Sequence, residues 1–217
     1  AVDCCVSPYL MAAFQDRFEL YERFLDPERW TENETRRWEQ SFLTLIKKLQ
    51  LRHDKPVLLK SPTHTFRIPM LLNLFPDAKF VYLFRNPYDV VRSTLHLRQT
   101  MLATNSLEPP HGRTALEDTF ELYDRCISRY ERTKQTIPPN QLCEIRFEDL
   151  ETDPLGQTRR VYEELQLPGW DAALPAIGRQ VASIRGYRKN QYTEDAGLKQ
   201  QILDRFRWVF ELYGYDP

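Results

Sequence analysis

Apolar residues in the first quarter of the chain recur at helical spacing. The pattern predicts one helix over residues 8–25 and a second that begins near Thr31. Thr31 and Glu34 have the spacing of a capping box, in which each side chain bonds the backbone of the other residue. Apolar positions then continue at helical spacing as far as Leu49, and Pro56 predicts that this helix ends before Lys55.

The hydrophobic period changes after Pro56. Val57–Leu59 is a short apolar run and Phe80–Phe84 is a longer one. Runs of this kind are typical of strands that are buried on both faces of a parallel sheet. The intervening segment, Thr65–Leu74, is predicted to be a crossover helix, which would complete a βαβ unit.

The remaining chain continues the alternation of helices and strands. We predict a long helix at about residues 115–135 after a loop at 105–113, and a third strand at Leu142–Phe147. Three further helices are predicted near Pro154–Leu165, Ala172–Ser183 and Leu198–Tyr213. This order predicts a helix-rich α/β fold, and a length of 217 residues favours a single domain.

Composition and charge narrow the classes of function. The net charge of -1 lacks the broad positive field of a nucleic-acid-binding protein, so no nucleic acid partner is expected. No apolar run approaches the roughly 20 residues of a membrane span and no secretory signal is visible, which favours a cytoplasmic location for the chain as given. The four cysteines form neither a Cys-x-x-Cys motif nor a cluster with metal-ligand spacing, so no metal site is expected.

Two cations follow the two apolar runs. Lys60 comes directly after the first run and Arg85 directly after the second. In open parallel sheets, ligands bind beyond the carboxyl ends of the strands. Pro87 is suited to begin the next helix, and Ser93 lies about two turns along it. A guanidinium and a hydroxyl placed in this way can hold one phosphate from two sides, although each cation alone could be an ordinary surface charge.

Several motifs resemble the PAPS-dependent sulfotransferases, above all the bacterial-type family and the tyrosylprotein sulfotransferases. The resemblance is carried by LLKSP, LFPDAKFV and RNP within residues 57–93, with a serine eight residues after the arginine of RNP. RFEDLETDPLG (146–156), IRGYRKNQY (184–192) and FELYGY (210–215) are also similar. The resemblance implies a P-loop-like nucleotide-binding α/β fold. It also implies transfer of a sulfuryl group from PAPS to a hydroxyl of a small molecule or peptide, by direct in-line displacement without a metal.

The resemblance also implies roles for individual residues. Lys60 matches the lysine that stabilises the transferred group and the bridging oxygen, a role consistent with the need for charge stabilisation in such transfers. Arg85 and Ser93 match the pair that binds the 3′-phosphate of PAPS. Phe147 matches a residue beside the adenine, a position that is often tyrosine, so stacking is retained and a hydroxyl is lost.

Two further assignments from the resemblance have open alternatives. Arg188, Lys189 and Asn190 match a basic segment that closes over the 3′-phosphate, but a solvated basic loop fits the residues equally well. His64 is a candidate general base, because it lies four residues after Lys60. Some sulfotransferases use a histidine two residues after this lysine, where the present chain has a proline, so a role at the helix start is the alternative.

The phosphate-binding loop of the family is missing from this sequence. All seven glycines lie at Gly112 or later, so residues 1–111 contain no glycine-rich phosphate loop. In the family that loop lies upstream of the matching region, so we expect an N-terminally truncated sulfotransferase domain over residues 1–217. The alternatives to truncation are a degenerate homologue and a second chain that supplies the loop. The alternative functions are a non-catalytic PAP- or PAPS-binding or interaction module and a P-loop nucleotide kinase relative, which the absence of a GxxxxGK[ST] motif disfavours. A homo-oligomer remains open.

Overall fold

The computed structural model describes residues 14, 19, 22–53, 55–107, 114–184, 186 and 195–217. The predicted basic segment with Arg188, Lys189 and Asn190 lies outside the described residues, as does most of the first predicted helix. The chain divides into two compact units. The first comprises Thr94–Gln135 and the described residues up to Pro76, and the second comprises Asp77–Ser93 and Thr136–Pro217.

Helices predominate in the described chain, and two short strands accompany them. The helices are α1 Glu32–Arg52, α2 Ile68–Leu74, α3 Pro87–Asn105, α4 Ala115–Thr133, α5 Phe147–Thr152, α6 Pro154–Glu164, α7 Trp170–Ile184 and α8 Ala196–Tyr213. The strands are β1 Phe80–Phe84 and β2 Leu142–Arg146. Short 3-10 segments occupy Arg23–Leu25, Pro27–Arg29, Pro62–Arg67 and Lys134–Thr136. Every helix within these ranges is too short or too polar to cross a bilayer.

The first unit contains α1, α2 and α4. The predicted capping box of α1 is confirmed, since the Thr31 hydroxyl accepts the Glu34 N–H at 3.3 Å and the Glu34 carboxylate accepts the Thr31 N–H at 2.8 Å. Two reciprocal bonds of this kind satisfy backbone donors that a helix start otherwise leaves unpaired. Further along α1, the Trp38 ring is buried and stacks on Phe42 with a centroid separation of 4.6 Å. The aromatic face of α1 thus supplies part of the core of this unit.

The second unit is organised by the pairing of β1 with β2. The strands are parallel, and the register runs from Phe80 opposite Leu142 to Phe84 opposite Arg146. A parallel pair needs a long crossover connection, which here passes through α3 and α4. The parallel α/β arrangement predicted from the sequence is therefore confirmed for these two strands.

Only one of the two strands is well covered. Cys143 and Ile145 of β2 are buried with Leu165, which follows α6. Their register partners Val81 and Leu83 share the same face but are 46% and 50% exposed. The prediction that Phe80–Phe84 is buried on both faces is therefore wrong. On this face, the hydrophobic cluster forms around the side chains of β2, and the side chains of β1 stay about half exposed.

The prediction of a strand at Val57–Leu59 is also wrong. The segment has no regular structure, and Leu58 is 94% exposed. A short apolar run forms a strand only where a neighbouring strand completes its hydrogen bonds, and no described strand pairs with it. The βαβ unit predicted over residues 57–84 is therefore reduced to the 3-10 segment Pro62–Arg67, helix α2 and strand β1.

The unequal cover of the two strands gives a stability prediction. Ile145→Ala removes a fully buried side chain and should lower the free energy of unfolding by about 2–5 kcal/mol. Leu83→Ala is the matched control, because Leu83 lies opposite Ile145 in the register but is half exposed. Its loss should be well under half as large. Urea unfolding of both variants measures the difference, and equal losses would contradict the described burial.

Candidate functional site

Arg85 and Phe147 meet because β1 and β2 end in register. Phe84 is paired with Arg146, so Arg85 and Phe147 are the next residues of their chains. The guanidinium carbon of Arg85 lies 4.7 Å from the centroid of the Phe147 ring. A cation–π contact of this kind contributes about 0.5–2 kcal/mol. The predicted strand Leu142–Phe147 ends one residue early, and Phe147 is instead the first residue of α5.

Asp89 holds the Arg85 guanidinium from a second direction. One guanidinium nitrogen donates to the Asp89 carboxylate at 2.9 Å, and Arg92 lies 3.9 Å from the other oxygen of that carboxylate. The Arg85 Nε atom is buried and has no hydrogen-bond partner among the described residues. A buried donor without an acceptor costs about 1–3 kcal/mol. The guanidinium is therefore fixed in place and still has a donor suited to an anionic oxygen.

Asn86 forms the turn from β1 into α3. Its side-chain oxygen accepts the Tyr88 N–H at 2.9 Å and its backbone carbonyl accepts the Val90 N–H at 3.1 Å. These bonds satisfy the start of the helix, as expected of an N-cap asparagine. Further along α3, the Ser93 hydroxyl donates to the Val90 carbonyl at 3.1 Å. Ser93 must therefore exchange a backbone acceptor for any ligand that it binds.

Glu148 connects this turn to the end of α8. One carboxylate oxygen accepts the Asn86 N–H at 3.1 Å, and the other accepts the Tyr215 hydroxyl at 2.8 Å. Burial of the Glu148 carboxyl disfavours its ionisation. The hydrogen bonds from Tyr215 and Asn86, together with the nearby charge of Arg146, outweigh burial and hold its pKa below the ordinary value of 4.5. Burial and the bond to Glu148 raise the pKa of the Tyr215 phenol.

The chain reverses at Gly214 to bring Tyr215 to this position. Gly214 has φ 65° and ψ 40°, the left-handed conformation that ends many helices. The Tyr215 N–H then donates to the Phe210 carbonyl at 2.9 Å, and its ring is only 6% exposed. The neighbouring Tyr213 ring stacks on Phe84 of β1 with a centroid separation of 4.7 Å. The end of α8 is thus packed against β1, the strand that Arg85 directly follows.

Lys60 and His64 belong to the first unit, whereas Arg85, Ser93 and Phe147 belong to the second. Lys60 is exposed and lies in the irregular segment rather than at a strand end. His64 lies in the 3-10 segment Pro62–Arg67, where its N–H donates to the Ser61 carbonyl at 3.0 Å and its ring meets the edge of Phe42. The Nδ1 atom of His64 is buried and has no hydrogen-bond partner among the described residues.

The protonation of His64 is set by its surroundings. Burial lowers the pKa of its imidazole from the ordinary value of 6.5, and the charge of Arg67 lowers it further. A neutral imidazole is the form that can accept a proton. The His64 imidazole is therefore held in its neutral form near neutral pH.

Asp89, Glu148 and Tyr215 are site residues that sequence reasoning missed. Asp89 lies in the first turn of α3, only four residues after Arg85, and this short separation of opposite charges was an available signal. Glu148 and Tyr215 are 67 residues apart, and no local pattern links them. Across the described ranges, no group of three or more His, Cys, Asp or Glu side chains could hold a metal ion.

Comparison with known proteins identifies relatives that match most of the chain. Residues 1–172 match the family described as the sulfotransferase family. The chain is 34% identical over 210 residues to the omega-hydroxy-beta-dihydromenaquinone-9 sulfotransferase Stf3 of Mycobacterium bovis, and equally to that of Mycobacterium tuberculosis. The matches cover 97% of this chain and 54% of each relative, so the chain spans about half the length of the curated relatives it matches. No solved structure matches the chain at a significant level.

These relationships agree with the motifs around Lys60, Arg85 and Phe147, all of which lie within the matched residues. The parallel strand pair and the helix-rich composition are consistent with the P-loop-like α/β fold that the family implies. The chain belongs to the sulfotransferase family.

Proposed function

We propose that this protein transfers a sulfuryl group from PAPS to a hydroxyl acceptor and that Arg85 holds the 3′-phosphate of the donor. One observation carries the proposal. The Arg85 guanidinium is fixed between the Phe147 ring and the Asp89 carboxylate at the end of β1, and its buried Nε–H has no acceptor among the described residues. A positioned guanidinium with an unfilled donor is suited to a phosphate oxygen.

The other donor contacts extend from this arginine. Ser93 on α3 supplies a hydroxyl that can turn from the Val90 carbonyl toward the same phosphate. Phe147 supplies an aromatic surface for the adenine, and the same ring makes the cation–π contact with Arg85. Arg188, Lys189 and Asn190 remain predicted contacts to the 3′-phosphate, outside the described residues.

The transfer itself needs charge stabilisation and one proton acceptor. The acceptor oxygen attacks sulfur, the bond from sulfur to the bridging phosphate oxygen breaks, and PAP leaves with the electron pair. The Lys60 ammonium would stabilise the charge that develops on the bridging oxygen. The proton of the hydroxyl would pass to a base, and the neutral His64 imidazole is the candidate in this chain.

The acceptor is proposed at the level of a hydroxyl group. The mycobacterial relatives are named as sulfotransferases of omega-hydroxy-beta-dihydromenaquinone-9, a compound whose name includes a hydroxyl group. That name supports a hydroxyl acceptor here as well. A panel of lipid, steroid, saccharide and peptide alcohols, assayed with radiolabelled PAPS, would identify the class.

The assignment of Arg85 predicts a selective loss of nucleotide affinity. Arg85→Ala should weaken binding of PAP by about tenfold to a hundredfold, because a charge-assisted hydrogen bond contributes about 1.5–3 kcal/mol. Arg179→Ala is the control, since Arg179 is an exposed arginine of α7. Isothermal titration calorimetry measures both affinities. Undiminished affinity in Arg85→Ala would refute the proposed phosphate contact.

The assignment of Lys60 predicts a loss of turnover rather than a loss of nucleotide affinity. Lys60→Ala in the full-length protein should lower turnover of PAPS by at least about a hundredfold, while PAP affinity changes little, because the ammonium acts mainly in the transition state. Lys55→Ala, also exposed in the same segment, should leave both quantities unchanged. Equal losses of turnover and affinity would argue against the catalytic role. PAP binding with no turnover in the unsubstituted protein would favour the non-catalytic alternative.

The environment of His64 predicts a pH dependence of stability. Because the folded protein lowers the pKa of His64, the unfolded chain takes up this proton first as pH falls below 6.5. The free energy of unfolding should therefore decrease below pH 6.5 until the folded imidazole is also protonated. His64→Asn should remove this part of the decrease, whereas His53→Asn at the exposed end of α1 should not. An NMR titration that gives His64 a midpoint at or above 6.5 would contradict the described burial.

A further inference from the structure

Glu148 receives hydrogen bonds from two distant parts of the second unit. It accepts the backbone N–H of Asn86 at 3.1 Å and the hydroxyl of Tyr215 at 2.8 Å. Asn86 directly follows Arg85, so the first bond holds the peptide group next to the guanidinium-bearing residue. We infer that Glu148 is a positioning residue that keeps Arg85 in its binding orientation through the backbone of Asn86. This inference rests on the proposed role of Arg85 in binding the 3′-phosphate.

The contacts suit an ionised carboxylate. Hydrogen bonds to a charged acceptor are roughly twice as strong as bonds between neutral groups. Arg146 adds a nearby positive charge, since its Nε atom lies 3.6 Å from the Glu148 carboxylate. The Arg146 guanidinium also lies 4.1 Å from the centroid of the Tyr215 ring. Each of these contacts restricts the position of the Glu148 carboxylate beside the turn, because Arg146 and Tyr215 also contact each other.

A direct role of Glu148 in binding the donor is disfavoured by charge. A carboxylate near an anion site lowers phosphate affinity through Coulomb repulsion. A Glu148 that acted only as a local negative charge would therefore weaken PAP binding, and its removal would strengthen it. A Glu148 that positions Arg85 has the opposite effect, because its removal frees the turn. The sign of the change in PAP affinity separates the two roles.

Tyr215 supports Glu148 from the opposite side. Its ring is buried, and the Gly214 reversal fixes its backbone. Tyr215→Phe removes the bond to Glu148 but keeps the ring beneath Arg146. It should therefore weaken PAP binding less than loss of the carboxylate does, since Asn86 remains bonded to Glu148.

The first experiment measures PAP affinity and melting temperature for matched variants. Glu148→Ala should weaken PAP binding about tenfold, in line with the loss of a charge-assisted bond. Glu148→Gln should stay within about threefold of the unsubstituted protein, because the amide oxygen still accepts the Asn86 N–H. Glu211→Ala, an exposed glutamate on α8, should change neither quantity. Unchanged or increased PAP affinity in Glu148→Ala would overturn the inference, even if the melting temperature fell.

The second experiment asks whether Glu148 acts through Arg85. In an Arg85→Ala background, Glu148→Ala should cause almost no further loss of PAP affinity, because the group that it positions is absent. A full additional tenfold loss would show that Glu148 acts by another route and would overturn the inference.

The third experiment is independent of any nucleotide. Hydrogen exchange of the Asn86 amide, followed by NMR in the ligand-free protein, should be faster in Glu148→Ala and near normal in Glu148→Gln. Unchanged exchange in Glu148→Ala would overturn the inference. Failure of the unsubstituted protein to bind PAP would refute the proposed function, and the exchange result would still decide whether Glu148 holds the turn.

Discussion

The parallel register of β1 and β2 decides which residues meet beyond the ends of the two strands. Phe84 is paired with Arg146, so the following positions bring Arg85 beside Phe147 and Asn86 beside Glu148. A slip of one residue would turn every side chain of a strand to the opposite face and separate both contacts. The candidate anion site is therefore a continuation of the strand pairing rather than a property of the loops alone.

The pattern of hydrophobic residues predicted both strands but neither their pairing nor the residues packed around them. Apolar runs identified both strands, and most of the predicted helices agree with the observed ones to within a few residues. The same kind of pattern wrongly predicted a strand at Val57–Leu59, because a run of three apolar residues does not reveal whether a partner strand is available. The hydrophobic pattern also could not show that the cluster that buries β2 leaves Val81 and Leu83 about half exposed. Both errors concern contacts between segments that are far apart in the sequence.

The candidate site divides in a similar way. Arg85 and Phe147 could be proposed from the sequence, because each follows an apolar run within a family motif. The residues that hold them could not be found so easily. Glu148 acts on Asn86 across 62 residues and on Tyr215 across 67, and only the folded chain brings these groups together. Sequence patterns thus indicate the groups that would touch a ligand more readily than the groups that orient them.

The left-handed turn at Gly214 has a consequence for the divergence of related sequences. Apart from Gly214 and its two chain neighbours, no heavy atom lies within 4 Å of a Cβ added there, so the main cost of another residue comes from its backbone conformation. Asparagine tolerates that conformation best among the other residues, and a β-branched residue tolerates it poorly. Substitution at position 214 can therefore alter the approach of Tyr215 to Glu148 without touching either side chain. A glycine or asparagine between the end of this helix and a tyrosine, together with a glutamate after the second strand, is a pattern by which the same contact could be recognised in other sequences.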